Sequence, residues 1–332
     1  SSAASDVYKR QYLIVAVVSV LLNFILPRFM PGDPATQLIK DIVAKTGAPP
    51  SGYQMRLIKA RYGDPDRSVL LQFWDYLVQL VHGDLGKSIE YYPVNVTTLI
   101  NQALPWTLYL AIASTILGWI VGTWLGVRLG WKPGRKLDSI VTPLSMFFSS
   151  IPAFWLGLLI VWYFAYKNGW FPNQGAYDNE LTMSLTNGHF IASVLMHSVL
   201  PFFTLVIVGF AGWLFSMRNM MITTVNEDYV QLARAKGLSS SRIRNRYAAR
   251  NAILPNFTGL AQSIGGSLTA VILAEAVFIY PGIGSLLSGA QGHRDYPVMQ
   301  GIMLMIIFMS LLFNFIADSV YVILDPRTRE EA

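Results

Sequence analysis

Residues 227–255 read EDYVQLARAKGLSSSRIRNRYAARNAILP, a polar insert with five arginines and one lysine set between two long apolar segments, residues 191–217 and 257–279. Its local signals are those of two short helices. Asn226 is placed to cap a helix beginning near Glu227, Glu227 and Asp228 suit the positive end of its dipole, and Gly237 supplies the left-handed residue that stops it. Ser239 or Ser240 then starts a second helix carrying Arg242, Arg244, Arg246 and Arg250. Ala233 and Ala235 keep the first helix thin enough to enter a groove, and Tyr229, Leu232 and Leu238 offer apolar anchors. The insert therefore has the form of a docking surface for a cytoplasmic partner. A surface helix held on anionic lipid by its arginines accounts for the charge as well, though not for the Tyr, Ala and Gly arrangement.

The rest of the chain is written for lipid. Of 332 residues, 53% are hydrophobic and 13% charged, and the mean hydropathy is +0.42. Several apolar runs reach the roughly 20 residues needed to cross a bilayer. The formal charge of +6 comes from Lys and Arg at the edges of those runs, where the positive-inside bias puts them, so it does not argue for nucleic acid. With no cysteine there is no disulfide frame and no thiolate metal site, and His82, His189, His197 and His293 lack ligand spacing; no metal is expected.

Residues 1–6 are small and polar, carry no initiator Met, and read as a remnant of cloning, within an N-terminal tail over 1–11. The run 12–29 follows Lys9 and Arg10 as a secretory signal would, but it lacks Ala-x-Ala-like cleavage residues and leads straight into Pro31-Gly32-Asp33-Pro34. It is expected to be an uncleaved first span. Further spans are predicted over 106–127, 140–166, 191–217, 257–279 and 298–324, as helices, because no strand-length alternation covers them and helices satisfy their own backbone groups. The expected fold is an all-α integral membrane protein with six transmembrane helices. One domain covers 12–324, with a partly helical external segment over 31–104 between helices 1 and 2 and the polar loop over 218–256 between helices 4 and 5; a tail follows over 325–332. The fifth span carries Gly259, Ser263, Gly265, Gly266, Ser267 and Thr269, as suits a helix packed on other helices or lining a path. Lys and Arg number fifteen on the side of the termini and the insert against ten on the other, and the ten are diluted by seven acidic residues from Asp33 to Glu90. Both termini and the insert are assigned to the cytoplasm.

Within the external segment, residues 54–62 and 69–81 show helical spacing, the second through Val69, Phe73, Tyr76, Leu77 and Leu80. Two readings stay open: a cap over the outer mouth that meets an outer partner, or helices lying on the headgroups with Trp74 and Tyr76 as anchors. Gly83-Asp84-Leu85-Gly86-Lys87-Ser88 ends like a phosphate-binding loop, but Val81 occupies the place of the first Gly, no strand precedes it and the topology puts it outside. ATP is not expected on this chain. An ionised Glu275, deep in the fifth span, would cost at least about 2.5 kcal/mol in hydrocarbon. It should face the bundle or its outer end and serve a structural hydrogen bond near Pro281-Gly282; a proton relay would need partners, and Asp318 is the other candidate. His197 and Ser198 do not make a base and nucleophile, since adjacent helical residues diverge and neither a Gly-x-Ser-x-Gly nor a His-Glu-x-x-His motif occurs.

Asp228-Tyr229-Val230, Ala233-Arg234-Ala235-Lys236-Gly237-Leu238 and Arg250-Asn251-Ala252-Ile253-Leu254-Pro255 together resemble the EAA loop of bacterial ABC-importer permeases, in particular the oligopeptide/dipeptide/nickel permease family. The resemblance extends over nearly the whole chain, through Pro31-Gly32-Asp33-Pro34, Gly83 to Ser88, Ser150-Ile151-Pro152-Ala153-Phe154-Trp155, Glu275 and Phe278 with Pro281-Gly282-Ile283-Gly284, Arg294-Asp295-Tyr296-Pro297 and Asp325-Pro326-Arg327. The general loop opens on Glu-Ala-Ala and closes on Leu-Pro sooner after its Gly; here Gln231-Leu232-Ala233 opens it and Leu254-Pro255 lies farther on, a longer form similar to the peptide-type subfamily. Residues 40–51 are longer than the family pattern.

The resemblance implies a permease subunit of an ATP-driven importer in a bacterial or archaeal inner membrane, with no catalysis of its own. It implies a homologous second permease, two cytoplasmic ATPase subunits and an extracytoplasmic binding protein as partners, besides lipid. ATP and Mg belong to the ATPase subunits, and this chain holds no cofactor. Coupling to the ATPase falls on Glu227, Asp228, Tyr229, Ala233, Arg234, Ala235, Lys236, Gly237 and Leu238; the path or gate falls on Pro152, Trp155, Gly265, Gly266 and Glu275. Peptides lead as cargo, with short oligosaccharides and nickel complexes as alternatives. A stand-alone secondary carrier or channel would call for paired intramembrane charges or broken helices in two inverted halves, and a membrane hydrolase for a catalytic set; the sequence displays none of these.

Overall fold

A computed structural model of the protein describes residues 12, 14–25, 39–40, 43–44, 47–52, 55 and 68–324, with all of their side chains except those at 261, 318 and 320–324. The Pro31–Pro34 turn, Asp325-Pro326-Arg327 and all of the expected helix over 54–62 except Met55 therefore lie outside the described residues. Helix α1 is Ile14–Ile25, α2 Val69–Val81, α3 Val96–Trp131, α4 Lys136–Ser150 and α5 Ala153–Ile160, which continues in a wider π-type turn over Val161–Lys167. They are followed by α6 (Gly188–Thr224), α7 (Asp228–Ala235), α8 (residues 240–252), α9 (Leu254–Phe278), α10 (Ile283–Gly292) and α11 (Tyr296–Leu324). Among the described residues there is no strand, only an isolated bridge between Lys87 and Asn95. By length and composition α3, α6 and α11 can each cross a membrane, the α4–α5 pair and the bent α9 can do so as broken spans, and α1 is a shorter apolar helix.

The chain forms two compact units. The first takes the stretch up to Pro105 together with Ser285–Met309. Here Phe24 of α1 packs on Phe73 and Tyr76 of α2 with ring centroids 4.9 and 5.5 Å apart, and Asn23 donates to the Gln300 carbonyl at 2.9 Å. The opposite face of α2, with Leu70, Trp74 and Val81, is exposed. A single buried carboxylate organises the end of this unit. One oxygen of Asp295 accepts the Ser88 hydroxyl at 2.5 Å and the N–H groups of Ile89 and Glu90 at 2.9 and 3.0 Å. Its other oxygen accepts the Val298 N–H at 3.3 Å, which caps the first turn of α11. The serine of the phosphate-loop look-alike is thus a structural donor, presented by a backbone that turns through positive φ at Gly83 and Gly86.

The second unit takes Trp106–Gly284 and the chain from Ser310 onward, and it is built on the contact between α3 and α6. Gly118, Gly122, Gly126 and Gly130 recur every fourth residue along one line of α3. A Cβ on Gly126 would stand 2.7 Å from the Leu214 carbonyl oxygen, and one on Gly130 would stand 2.6 Å from that of Arg218. The two backbones touch, which is how helices gain packing energy where lipid removes any hydrophobic drive between them.

The predicted third span is two helices. α4 and α5 meet at 98°, where Ile151 takes an extended conformation ahead of Pro152 (φ −84°, ψ 126°), the conformation a proline ring favours in the residue before it. Pro105, Pro143 and Pro201 remain inside helices. At the far end of α9, Ile279 adopts a left-handed conformation and the chain doubles back through Pro281 and Gly282.

Gly126→Ala is expected to destabilise the protein by about 2 kcal/mol or more, through overpacking of a rigid backbone contact. Gly209→Ala on α6, where a Cβ meets nothing within 4 Å, should not destabilise it. Thermal unfolding of the detergent-solubilised variants measures both.

Candidate functional site

The basic insert folds onto the ends of α3 and α6. Val230 and Ala233 of α7 and Ile243, Ala248 and Ala252 of α8 close over Met217 and Met221 of α6, with Val127 and Trp131 of α3 packed at the edge. This buries one side of α7 and fixes its direction. Gly237 ends the helix as its sequence requires. With φ +73° it lets the Leu238 N–H reach back to the Ala233 carbonyl at 3.3 Å, and its own N–H reaches that of Arg234 at 3.0 Å. Leu238 then tucks against the buried cluster.

Two expectations change in detail. Ala233, read as a residue that slims the presented face, is 2% exposed and lies on the inner face. Asn226 does not cap α7; its amide donates to the Ile222 carbonyl at 3.2 Å, and Glu227 holds the cap position without a side-chain bond. The outward face carries Asp228, Tyr229, Leu232, Ala235 and Lys236, with Leu232 56% exposed. Arg234 lies over the Trp131 ring, 5.4 Å from its centroid, while Arg242, Arg246 and Arg250 on α8 are exposed. Since adjacent polar and apolar positions alternate around α7, only the buried cluster tells which alanine faces in.

Farther along α3 and α6 a cavity of about 490 Å³ opens between these helices and α9. Ser114, Thr115 and Gly118 of α3, Gly209, Gly212, Trp213 and Ser216 of α6, and Ser263, Gly266 and Ser267 of α9 line it, together with Ala153 at the start of α5. No charged side chain lines it. Its hydroxyls are already engaged: Ser114 donates to the Leu110 carbonyl at 2.5 Å, Ser263 to that of Gly259 at 2.9 Å and Ser216 to the Asn256 side chain at 2.5 Å. They face the cavity mainly as acceptors.

Of the residues expected on a path or gate, Gly266 lines this cavity and Pro152 immediately precedes Ala153. Gly265 packs instead toward Phe313, where a Cβ would stand 3.1 Å from the phenylalanine Cβ. Trp155 is exposed on α5. Glu275 is fully buried and accepts the Gly284 N–H at 2.6 Å. A Cβ on Gly282 would collide with its carboxylate, so the carboxylate ties the turn after α9 as the sequence suggested. The lining serines and glycines at spacings of three and four on α3, α6 and α9 are a legible signal in the sequence, one face of small residues on each helix.

A helical unit with a basic loop seated on its cavity-lining helices has counterparts among known proteins. The family model described as "Binding-protein-dependent transport system inner membrane component" matches residues 114–330. The oligopeptide transport system permease protein AppB of Bacillus subtilis (strain 168) is 31% identical, over 92% of this chain and 93% of its own length. The di/tripeptide transport system permease protein DppB of Pseudomonas aeruginosa (strain UCBPP-PA14) is 31% identical over 94% of each. The probable D,D-dipeptide transport system permease protein DdpB of Escherichia coli (strain K12) is 32% identical over 95% of this chain and 94% of its own. The chain belongs to the binding-protein-dependent inner membrane component family, the permease subunits of ABC importers.

Ala233→Arg is expected to cost about 3 kcal/mol or more by forcing an unpaired charge into the cluster, whereas Leu232→Arg on the exposed face should stay within about 0.5 kcal/mol of the parent. Thermal unfolding in detergent separates the two.

Proposed function

We propose that this chain forms half of the translocation path of an ATP-driven importer for peptides, and that α7 is the element through which ATPase subunits drive it. The observation that carries the reading is the two-sidedness of α7. Its inner side is fixed to α3 and α6, the helices that also line the cavity, and its outer side offers Tyr229 and Leu232. A partner pressing on that face moves the cavity walls without needing a separate transmission chain. Glu227, Asp228, Arg234, Ala235 and Lys236 supply the polar surround of the docking face, Gly237 and Leu238 fix its end, and Ala233 holds it from beneath.

In this reading the domain over 12–324 crosses the membrane six times with both termini in the cytoplasm, as the excess of Lys and Arg on that side supports. A homologous second permease closes the open side of the cavity, two ATPase subunits bind ATP and Mg, and an extracytoplasmic binding protein delivers the cargo. This chain contributes no cofactor and no covalent step. Closure of the ATPase pair displaces α7 with α3 and α6, and the cavity alternates its access. Peptides are favoured because the relatives named above are oligopeptide, di/tripeptide and D,D-dipeptide permeases, and an uncharged cavity lined by acceptors suits amide N–H groups. Pro152 and Gly266 belong to the path; Trp155, Gly265 and Glu275 are assigned to its supporting frame.

Leu232→Arg should reduce uptake about tenfold or more by removing an anchor worth about 2 kcal/mol, with membrane abundance unchanged. Unaltered uptake in cells carrying this variant would remove α7 as the docking element. For cargo, thermal shift of the cognate binding protein should respond to short peptides and not to oligosaccharides or nickel complexes; the reverse pattern refutes the peptide assignment.

A further inference from the structure

Arg218 of α6 and Asp138 of α4 form a two-pronged ion pair, with Nε donating to Oδ1 at 2.8 Å and Nη2 to Oδ2 at 2.7 Å. The Asp138 side chain is 7% exposed, and it also accepts the Gly134 N–H at 2.9 Å and the Thr142 hydroxyl at 2.8 Å. Every acceptor direction of this carboxylate is in use, by the turn between α3 and α4, by α4 itself and by α6. The Arg218 side chain is 21% exposed, so a buried carboxylate is held here against a half-buried guanidinium, which is not the least costly way to join helices. An apolar pair of similar volume commonly does as well or better, and the best attested use of a buried ion pair is to fix one register.

Register matters here because of what lies on either side of the pair. Arg218 directly follows Met217 and stands three residues before Met221, and both methionines lie under Val230 and Ala233 of α7. Asp138 is in the first turn of α4, whose other end breaks at Ile151 and Pro152 and delivers Ala153 to the cavity wall. α3 and α6 are joined by their glycine contact; α4 also packs along α6, and among the described residues this ion pair is the hydrogen-bonded tie between those two helices. A fork of two parallel bonds resists sliding and rotation, which a single point contact does not.

We propose that the Asp138–Arg218 pair is the clamp that carries a displacement of the α7-bearing end of α6 into the α4–α5 arm, and so into the cavity wall. Both are positioning residues for transport. The proposal rests on the importer reading above and adds to it a specific route from the loop to the broken helix.

The test uses the complex purified with its partner subunits and reconstituted in proteoliposomes, with uptake of a radiolabelled short peptide, chosen by thermal shift of the cognate binding protein, and ATP hydrolysis measured on the same sample. The double variant Asp138→Asn/Arg218→Met keeps both side chains near their original size and leaves an amide oxygen at position 138 to accept a bond from the turn, while removing the fork. It should assemble and hydrolyse ATP within about twofold of the parent while uptake per ATP falls about fivefold or more, the lower range of coupling between sites. An unchanged ratio in the double variant would overturn the clamp and leave the pair a packing feature. Arg218→Lys, which keeps the charge and loses the fork, decides the case if the double variant does not assemble: a reduced ratio supports the clamp and an unchanged one overturns it. A parent complex that takes up cargo without hydrolysing ATP would sink the importer reading instead, a result distinct from either.

Discussion

The close approach of α3 and α6 is the constraint on which the second unit depends. Their backbones meet along glycines spaced four apart, with no space for a Cβ at Gly126 or Gly130. In lipid this geometry replaces the hydrophobic gain that would join two helices in water, since only contact, hydrogen bonding and lipid entropy remain. α9 is then fastened to the pair by a buried polar side chain. Asn256 accepts from Ser216 at 2.5 Å and donates to the Trp213 carbonyl at 3.3 Å, within 3.5 Å of Thr123. The cavity lies between these three helices, and the loop cluster covers the ends of the first two. One seam therefore sets both the wall of the cavity and the seat of the loop.

Three buried carboxylates serve a common purpose elsewhere in the fold. Asp295 gathers Ser88, Ile89 and Glu90 and caps α11; Glu275 ties the turn after α9; Asp138 joins a turn to α6. Each takes a backbone N–H in addition to any side-chain donor, so each turns an irregular stretch into a fixed one. A turn in or near hydrocarbon has no water to satisfy it, and a buried polar group left without partners costs several kcal/mol. The glycine at 282 follows from this, because the carboxylate of Glu275 fills the space a side chain would need.

The sequence was most informative where a residue type permits one geometry. Gly237 had to be left-handed, and it is; the apolar runs had to be helical, and the described ones are. It was least informative where an outcome depends on distant partners. Pro152 stands at a helix break while Pro143 and Pro201 stay inside helices, and no local pattern in the sequence separates the three. Ala233 and Ala235 look alike on paper; only the cluster formed with Met217 and Met221 turns the first inward. The bond from Ser88 to Asp295 spans 207 residues of chain and had no local trace. Gly265 packs toward Phe313 and Glu275 ties a turn, contacts that a small and a charged residue in apolar surroundings make on packed helices and beside a path alike.

The cavity's chemistry bears on how the proposed cycle can turn over. Its hydroxyls have spent their donors on nearby helix carbonyls and on Asn256, and no charged side chain lines it. Such a wall offers cargo many weak, interchangeable contacts and no deep minimum. A path that held one conformer of its cargo tightly would stabilise whichever state of the subunit presented those contacts, and the driving displacement would then have to overcome that differential affinity in every cycle. A shallow wall avoids the trap. Under the proposed cycle, energy entering through α7 would go into moving helices, and discrimination among cargoes would fall to the protein that delivers them.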